Sequence, residues 1–179
     1  MPNDERTLLE NRRFQVVEKT VTRADGQTAS CQFVRHGGSV AILPILQDGR
    51  ICLIHSRRLT VGETLVEVPA GTREPNEPPV KTAGRELAEE TGYRAGELEE
   101  LISYYPSPGI LSERMWIFIA RDLTPGDPAR EPNEEIENFI VDRTEALAMI
   151  DRGEIRDGKT MIALLTYDRK TQLRRSDGM

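Results

Sequence analysis

The sequence predicts an α+β fold, and three observations predict it. Short apolar or alternating runs recur along its first two thirds. Two Asp-Gly pairs, Asp25-Gly26 and Asp48-Gly49, separate such runs at hairpin spacing. Only three stretches read as helices, and two of them come after the last strand, so strands and helices do not alternate as a parallel βαβ fold requires.

The elements follow in order. Residues 1–13 are polar and read as loosely held. Residues 14–21 (FQVVEKTV) form a strand, 24–27 turn, and 29–35 (ASCQFVR) return. His36-Gly37-Gly38 breaks that strand. Residues 39–46 (SVAILPIL) make a mostly apolar strand, and 51–57 return after the second turn. A short strand at 65–68 ends on Pro69-Ala70-Gly71. Residues 72–79 are a loop. Residues 80–91 are a helix, with Val80, Ala83, Leu87 and Ala88 near helical spacing and Gly92 as its stop. Strands are expected at 98–105 and 115–121, then an acidic, Pro-containing loop over 123–138, a short strand at 139–141, and helices at 144–152 and 159–170. Residues 1–37 read as a small N-terminal antiparallel β appendage and residues 38–179 as the main domain.

Composition narrows the class. With 179 residues, 37% hydrophobic and 30% charged, the chain is expected to be one soluble globular domain with a small addition. No apolar run nears the ~20 residues that span a bilayer, and residues 1–14 lack the apolar segment of a secretory signal. Two cysteines, Cys31 and Cys52, make neither a disulfide framework nor zinc spacing. The expected compartment is therefore cytoplasmic, with no membrane partner. The net charge of −6 argues against a nucleic-acid partner. It leaves room for an anionic small molecule, because metal ions or a few placed arginines invert the local sign.

Chemistry concentrates on the helix at 80–91. Glu86, Glu89 and Glu90 fall at i, i+3 and i+4, on one face. Three carboxylates there repel one another. Spacing alone leaves two readings open: a solvated acidic face eased by Lys81 and Arg85, or a site for a hard divalent cation with oxygen ligands.

The wider segment brings a resemblance. Gly71, Glu77 eight positions before Arg85, and then Arg85-Glu86-Leu87-Ala88-Glu89-Glu90-Thr91-Gly92-Tyr93 resemble the Nudix box, G-x5-E-x7-R-E-U-x-E-E-x-G-U with U bulky and apolar. All nine specified positions across these 23 residues are filled, Tyr93 standing where an aliphatic residue is commoner. The resemblance implies a Nudix-type α/β/α sandwich with a mixed β-sheet. It implies a cofactor, Mg2+ or Mn2+, held by Glu86, Glu89, Glu90 and the carbonyl of Ala70. Glu77 and Arg85 would orient the helix through an ion pair, and Gly71 and Gly92 would serve backbone geometry. The chemistry suits a diphosphate, whose charge resists attack by water until cations neutralise it.

Three features resemble the ADP-ribose pyrophosphatase branch. They are Glu67-Val68-Pro69-Ala70-Gly71 leading into the box, Ser107-Pro108-Gly109 with Pro108 sixteen positions after Gly92, and Arg58 nine positions before Glu67. That branch's Gln-Tyr before the arginine is absent; Ser56-Arg57 stand there. By this resemblance Arg58, Glu67, Ser107, Pro108 and Glu113 are candidate substrate contacts. Glu134 is the first candidate for the general base and Glu135 the second. Phe14 and Phe33 lie on the appended strands, which in that branch help complete a partner's site, so a homodimer is expected. His36 and His55 receive no role. The implied activity is hydrolysis of ADP-ribose or a related nucleoside diphosphate sugar to a nucleoside monophosphate and a sugar phosphate. A GDP-mannose-type hydrolase is the rival within the class, a non-catalytic nucleotide-sugar sensor of the same fold the rival outside it, and an enzyme acting on damaged nucleotides a third possibility.

Overall fold

The computed structural model describes residues 5–130 and 134–176, apart from the side chain of residue 175. Along the chain these form β1 (Glu5–Glu10), β2 (Phe14–Thr22), β3 (Thr28–His36), β4 (Ser39–Pro44), β5 (Ile51–Arg58), β6 (Glu63–Glu67), β7 (Ala70–Thr72), α1 (Pro79–Thr91), β8 (Arg94–Tyr104), β9 (Met115–Thr124), β10 (Ile136–Val141), α2 (Arg143–Asp151) and α3 (Gly158–Ser176).

Three sheets result. β7, β4, β9 and β8 make a mixed sheet in that order, parallel between β4 and β9 and antiparallel elsewhere. β10, β5 and β6 make a second, antiparallel sheet, and β1, β2 and β3 a third. The two-residue period of the strands sorts the core. Val40, Ile42, Phe118 and Ala120 face α1, where Ala83 and Leu87 meet them. Ala41, Leu43, Ile117 and Ile119 point the other way, toward Leu53 and Val66 of the second sheet and Ala163 and Leu164 of α3. The result is the expected α+β sandwich, with α1 packed on one face of the mixed sheet.

Three expectations are corrected. Residues 5–10 are not loose but form β1, paired with β2 from Glu5↔Lys19 to Glu10↔Gln15. The strand is exposed along nearly all its length, so burial leaves no alternation to read. Its turn is fixed by Asn11, whose Oδ1 accepts from the backbone N–H of Arg13 (2.8 Å) and of Phe14 (2.9 Å). Residues 70–72, expected as a break, form β7 by pairing with residues 39–41 of β4. This contact is long-range and carries no local pattern. β8 also begins earlier than expected, at Arg94, because β9 continues to Thr124 and pairs with it there.

α1 starts with Pro79 at its first position, where the missing N–H costs nothing. It ends at Gly92, whose φ of 81° is left-handed and whose N–H donates to the Ala88 carbonyl at 3.0 Å. A methyl group there would also run into the Gly126 backbone. The appended sheet is tied down rather than free: Val34 donates to the Ile110 carbonyl (2.8 Å) and Ser112 to that of Val34 (2.9 Å). Among the described residues no helix is long and apolar enough to cross a membrane.

Candidate active site

α1, β7, the end of β5 and the β1–β2 turn enclose one cavity of about 730 Å³. Its lining carries both signs of charge. Glu86, Glu89, Glu90 and Glu134 supply carboxylates, and Arg12, Arg13, Arg35, Arg58, Arg73 and Arg85 supply guanidinium groups.

The acidic side is built on α1. Its helical spacing carries Glu86, Glu89 and Glu90 to one face, and β7 passes across that face. Glu90 is buried, and its Oε2 accepts from the Ala70 backbone N–H at 3.0 Å. Burial pushes its carboxyl up to about 8; the Ala70 hydrogen bond resists this, while the charges of Glu86 and Glu134 add to it. Burial also raises Glu86, against the opposing charge of Arg85, with Glu89 and Glu134 again adding. In both, burial outweighs the positive charge that reaches them, so these two carboxyls hold protons above the ordinary range.

Arg85 is the cation that does reach into the cluster. Its Nη1 donates to Glu86 Oε1 (2.8 Å) and Glu89 Oε2 (2.9 Å), and its Nη2 approaches Glu77 Oε2 (3.2 Å) and the Thr72 carbonyl (3.4 Å). Hydrogen bonding from Arg85 brings Glu77 below the usual carboxylate range, despite burial. Glu77 also accepts from Thr82 Oγ1 at 2.9 Å, which fixes the loop before α1 to its first turn. Gly71 matters for space: a methyl group on it would occupy the position of the Glu86 carboxyl.

The structure thus brings Arg58, Ala70, Gly71, Arg85, Glu86, Glu89, Glu90 and Glu134 around one cavity. Glu67, Glu77, Gly92, Ser107, Pro108, Glu113 and Glu135 lie outside the described lining. Glu67 is fully buried, with Arg58 Nε on its Oε1 (2.7 Å) and Arg58 Nη2 on its Oε2 (2.6 Å). It therefore reaches a ligand only through Arg58. Ser107 and Pro108 sit in an exposed turn that the Ser107 carbonyl closes, accepting from Ile110 and Leu111. Glu113 is turned toward Ser39 Oγ (2.5 Å) and lies 3.5 Å from His36 Nδ1. Glu135 is exposed, and its carbonyl accepts from Arg57 N at 3.1 Å as β10 begins.

Several contributors escaped sequence reading. His36, given no role, lines the cavity, as do Arg12, Arg13, Arg35 and Arg73. The chain on both sides of Glu134 is clasped to the end of α1: Ala129 N donates to the Glu89 carbonyl, Arg130 Nε to the Glu90 carbonyl, and Asn138 Nδ2 to the Thr91 carbonyl, all within 2.8–2.9 Å. Arg130 Nη2 closes the clasp on Asn138 Oδ1 at 2.9 Å. Residues 131–133 lie outside the described residues. Among the described residues no three His, Cys, Asp or Glu side chains are already drawn in around a single point.

A mixed-sheet sandwich whose acidic helix lines one cavity together with several arginines defines a class of protein built to handle an anionic ligand beside clustered carboxylates. The NUDIX domain model matches residues 35–164, and the chain belongs to the Nudix family. Among curated proteins it is 36% identical over 142 residues to "ADP-ribose pyrophosphatase" of Bacillus subtilis (strain 168), covering 78% of this chain and 77% of that protein. It is 37% identical over 142 residues to "Methanol dehydrogenase activator" of Bacillus methanolicus, with the same coverage of 78% and 77%. It is 33% identical over 160 residues to "GDP-mannose pyrophosphatase" of Escherichia coli O1:K1 / APEC, covering 82% of each. A solved structure described as "Crystal structure of ADP compounds hydrolase" superposes with a TM-score of 0.82, covering 95% of this chain and 92% of that one at 20% identity. That last likeness speaks to the fold.

Proposed function

We propose that the chain is a pyrophosphohydrolase that cleaves the diphosphate of ADP-ribose or a related nucleoside diphosphate sugar, using Mg2+ or Mn2+, to give a nucleoside monophosphate and a sugar phosphate. The observation that carries the reading is the single cavity lined by the α1 carboxylates and by several arginines, in a Nudix chain whose relatives include an ADP-ribose pyrophosphatase. GDP-mannose is the runner-up substrate, on the strength of the GDP-mannose pyrophosphatase relatives.

The donor set fits a hard divalent cation: Glu86, Glu89 and Glu90 offer oxygens only, and on Glu86 and Glu90 burial and neighbouring carboxylates disfavour the bare charge. With Ala70's carbonyl they would hold the ion, which supplies charge neutralisation for the diphosphate. Arg58 lines the cavity with Nη1 donating to none of the described residues, so its planar fork can engage a phosphate oxygen. Glu134, on the clasped loop, lines the same cavity and is the residue to take the proton of the attacking water, with Glu135 second. Residues 1–37 act as a dimer-forming appendage: Leu8, Leu9, Phe14 and Val21 stand exposed on its sheet, which supports a homodimer. The location that goes with a reduced Cys31 and Cys52 is cytoplasmic.

Two measurements test the reading. ADP-ribose, GDP-mannose, ADP-glucose and NADH, compared with Mg2+ in a phosphatase-coupled phosphate-release assay, should rank with ADP-ribose first. A clear preference for GDP-mannose replaces the first choice by the second, and turnover of none removes the activity. The second follows from Glu90. Its folded-state carboxyl titrates near 8 against an ordinary value of 4.5. Between those values the folded chain holds a proton that the unfolded chain has lost. Its contribution to stability is therefore full below about 4.5 and is lost as pH rises through about 8. A cation must displace that proton. Mn2+ affinity by calorimetry should rise from pH 6 to pH 8 with proton release, and Mn2+ should protect against melting most at the alkaline end. An affinity flat across that range would show that Glu90 does not exchange its proton for the metal.

A further inference from the structure

Behind Arg58 lies a chain of buried contacts that the reaction as drawn so far does not use. Glu67 is fully buried yet sits between two cations. Arg58 grips it through Nε and Nη2 from the cavity side, at 2.7 and 2.6 Å. Lys159 Nζ, on the first turn of α3, grips its Oε2 from behind. Lys159 is only 12% exposed, does not line the cavity, and has Asp157 Oδ1 as its second partner at 3.0 Å. Burial works against the Glu67 carboxylate, but the Arg58 hydrogen bonds and the Lys159 charge outweigh it and bring the group below the ordinary range.

The same helix start holds the neighbouring backbone. Asp157 Oδ2 accepts from Thr160 N (3.0 Å) and Thr160 Oγ1 (2.6 Å), and Thr160 Oγ1 accepts from Val68 N at 2.9 Å. Two residues on, Ala70 N is bound to Glu90. The beginning of α3 therefore braces both the carboxylate that aims Arg58 and the strand leading into the acidic cluster. A guanidinium held on two of its nitrogens by a carboxylate that cannot itself swing presents its third nitrogen in one direction, and such locking of a contact residue from behind is what makes it effective.

We propose that Lys159 is a positioning residue for the diphosphate: acting through Glu67, it fixes the Arg58 guanidinium at the cavity wall without touching the ligand. The ligand class rests on the nucleoside diphosphate sugar reading above; the coupling between Lys159 and Arg58 does not. The test is a double-mutant cycle read by calorimetry with ADP and Mn2+, and by steady-state kinetics on ADP-ribose. K159M should weaken ADP binding and raise KM about 5–10-fold, with kcat held within about twofold, because a contact residue is loosened while the acidic cluster keeps its members. K159R should recover most of the loss. In an R58A background K159M should add nothing, since the residue it acts through is gone. ADP affinity unchanged in K159M, or a loss that is just as large without Arg58, overturns the proposal. Should K159M fail to fold, K159Q reads the same cycle. If the wild type hydrolyses no nucleoside diphosphate sugar while K159M still weakens ADP only in the presence of Arg58, the functional reading fails and this one stands.

Discussion

Replacing Glu90 by Gln is expected to abolish most turnover while leaving the protein folded. Glu90 is buried, and its Oε2 accepts from Ala70 N. The amide oxygen of Gln can accept the same hydrogen bond, so β7 stays in place. The cost of burying a carboxyl whose titration has moved to about 8 disappears with the charge. At pH 8 and without metal, the variant should therefore melt no lower than the wild type. As a ligand, however, a neutral amide is poor for a hard divalent ion. Outer partners of metal ligands typically account for about 10–100-fold in affinity or activity, so losing a ligand itself should cost kcat about 100-fold or more. Circular dichroism, melting and Mn2+ calorimetry alongside kcat separate the parts. Turnover at the wild-type level would remove Glu90 from the ligand set. A wild type that binds nucleotide sugars but never turns them over would instead support the non-catalytic sensor.

Gly71→Ala should be nearly as damaging, and by a different route. Gly71 lies in β7, opposite Val40 of β4. Its backbone is of a kind other residues adopt, for it is not among the positive-φ glycines. Alanine is therefore tolerable to the main chain. The methyl group, however, would take the place of the Glu86 carboxyl, which must rotate away. Turnover should fall on the order of 100-fold with only a few degrees of change in melting temperature. Since the damage runs through Glu86, G71A in an E86Q background should add little. A G71A enzyme retaining half its activity, or a fully additive double variant, would show that Glu86 is not what the glycine makes room for.

Much of this architecture was legible from residue order. The helix expected at 80–91 announces itself by apolar spacing and a terminal glycine, and its period fixes which face carries Glu86, Glu89 and Glu90; the structure adds only Pro79 at its start. The apolar strands around residues 39–57 were equally plain, because both their faces are buried. What escaped depends on contacts between distant positions. β1 is exposed, and it is held by backbone pairing and by surface side-chain contacts such as Arg6 to Glu18 and Gln15 to Glu10, none of which leaves an apolar pattern. β7 is three residues long and exists because β4 is beside it. The Arg130–Asn138 clasp joins residues 40 to 47 positions apart to the end of α1, and Lys159 meets Glu67 across 92. The Ser107-Pro108 turn shows the converse. Its local shape was readable, but its distance from the cavity was not, since nothing within a turn says which way the rest of the chain passes.

The grip of Arg85 on Glu77, Glu86 and Glu89 has a consequence for how such a protein comes into being. A small zinc module waits for its ion before it can take shape at all. Here a built-in counter-charge already meets Glu86 and Glu89, so the newly made polypeptide is expected to fold without a divalent cation and to be switched on afterwards. Chelators should put it to sleep without taking it apart, and replenishment should wake the same molecules.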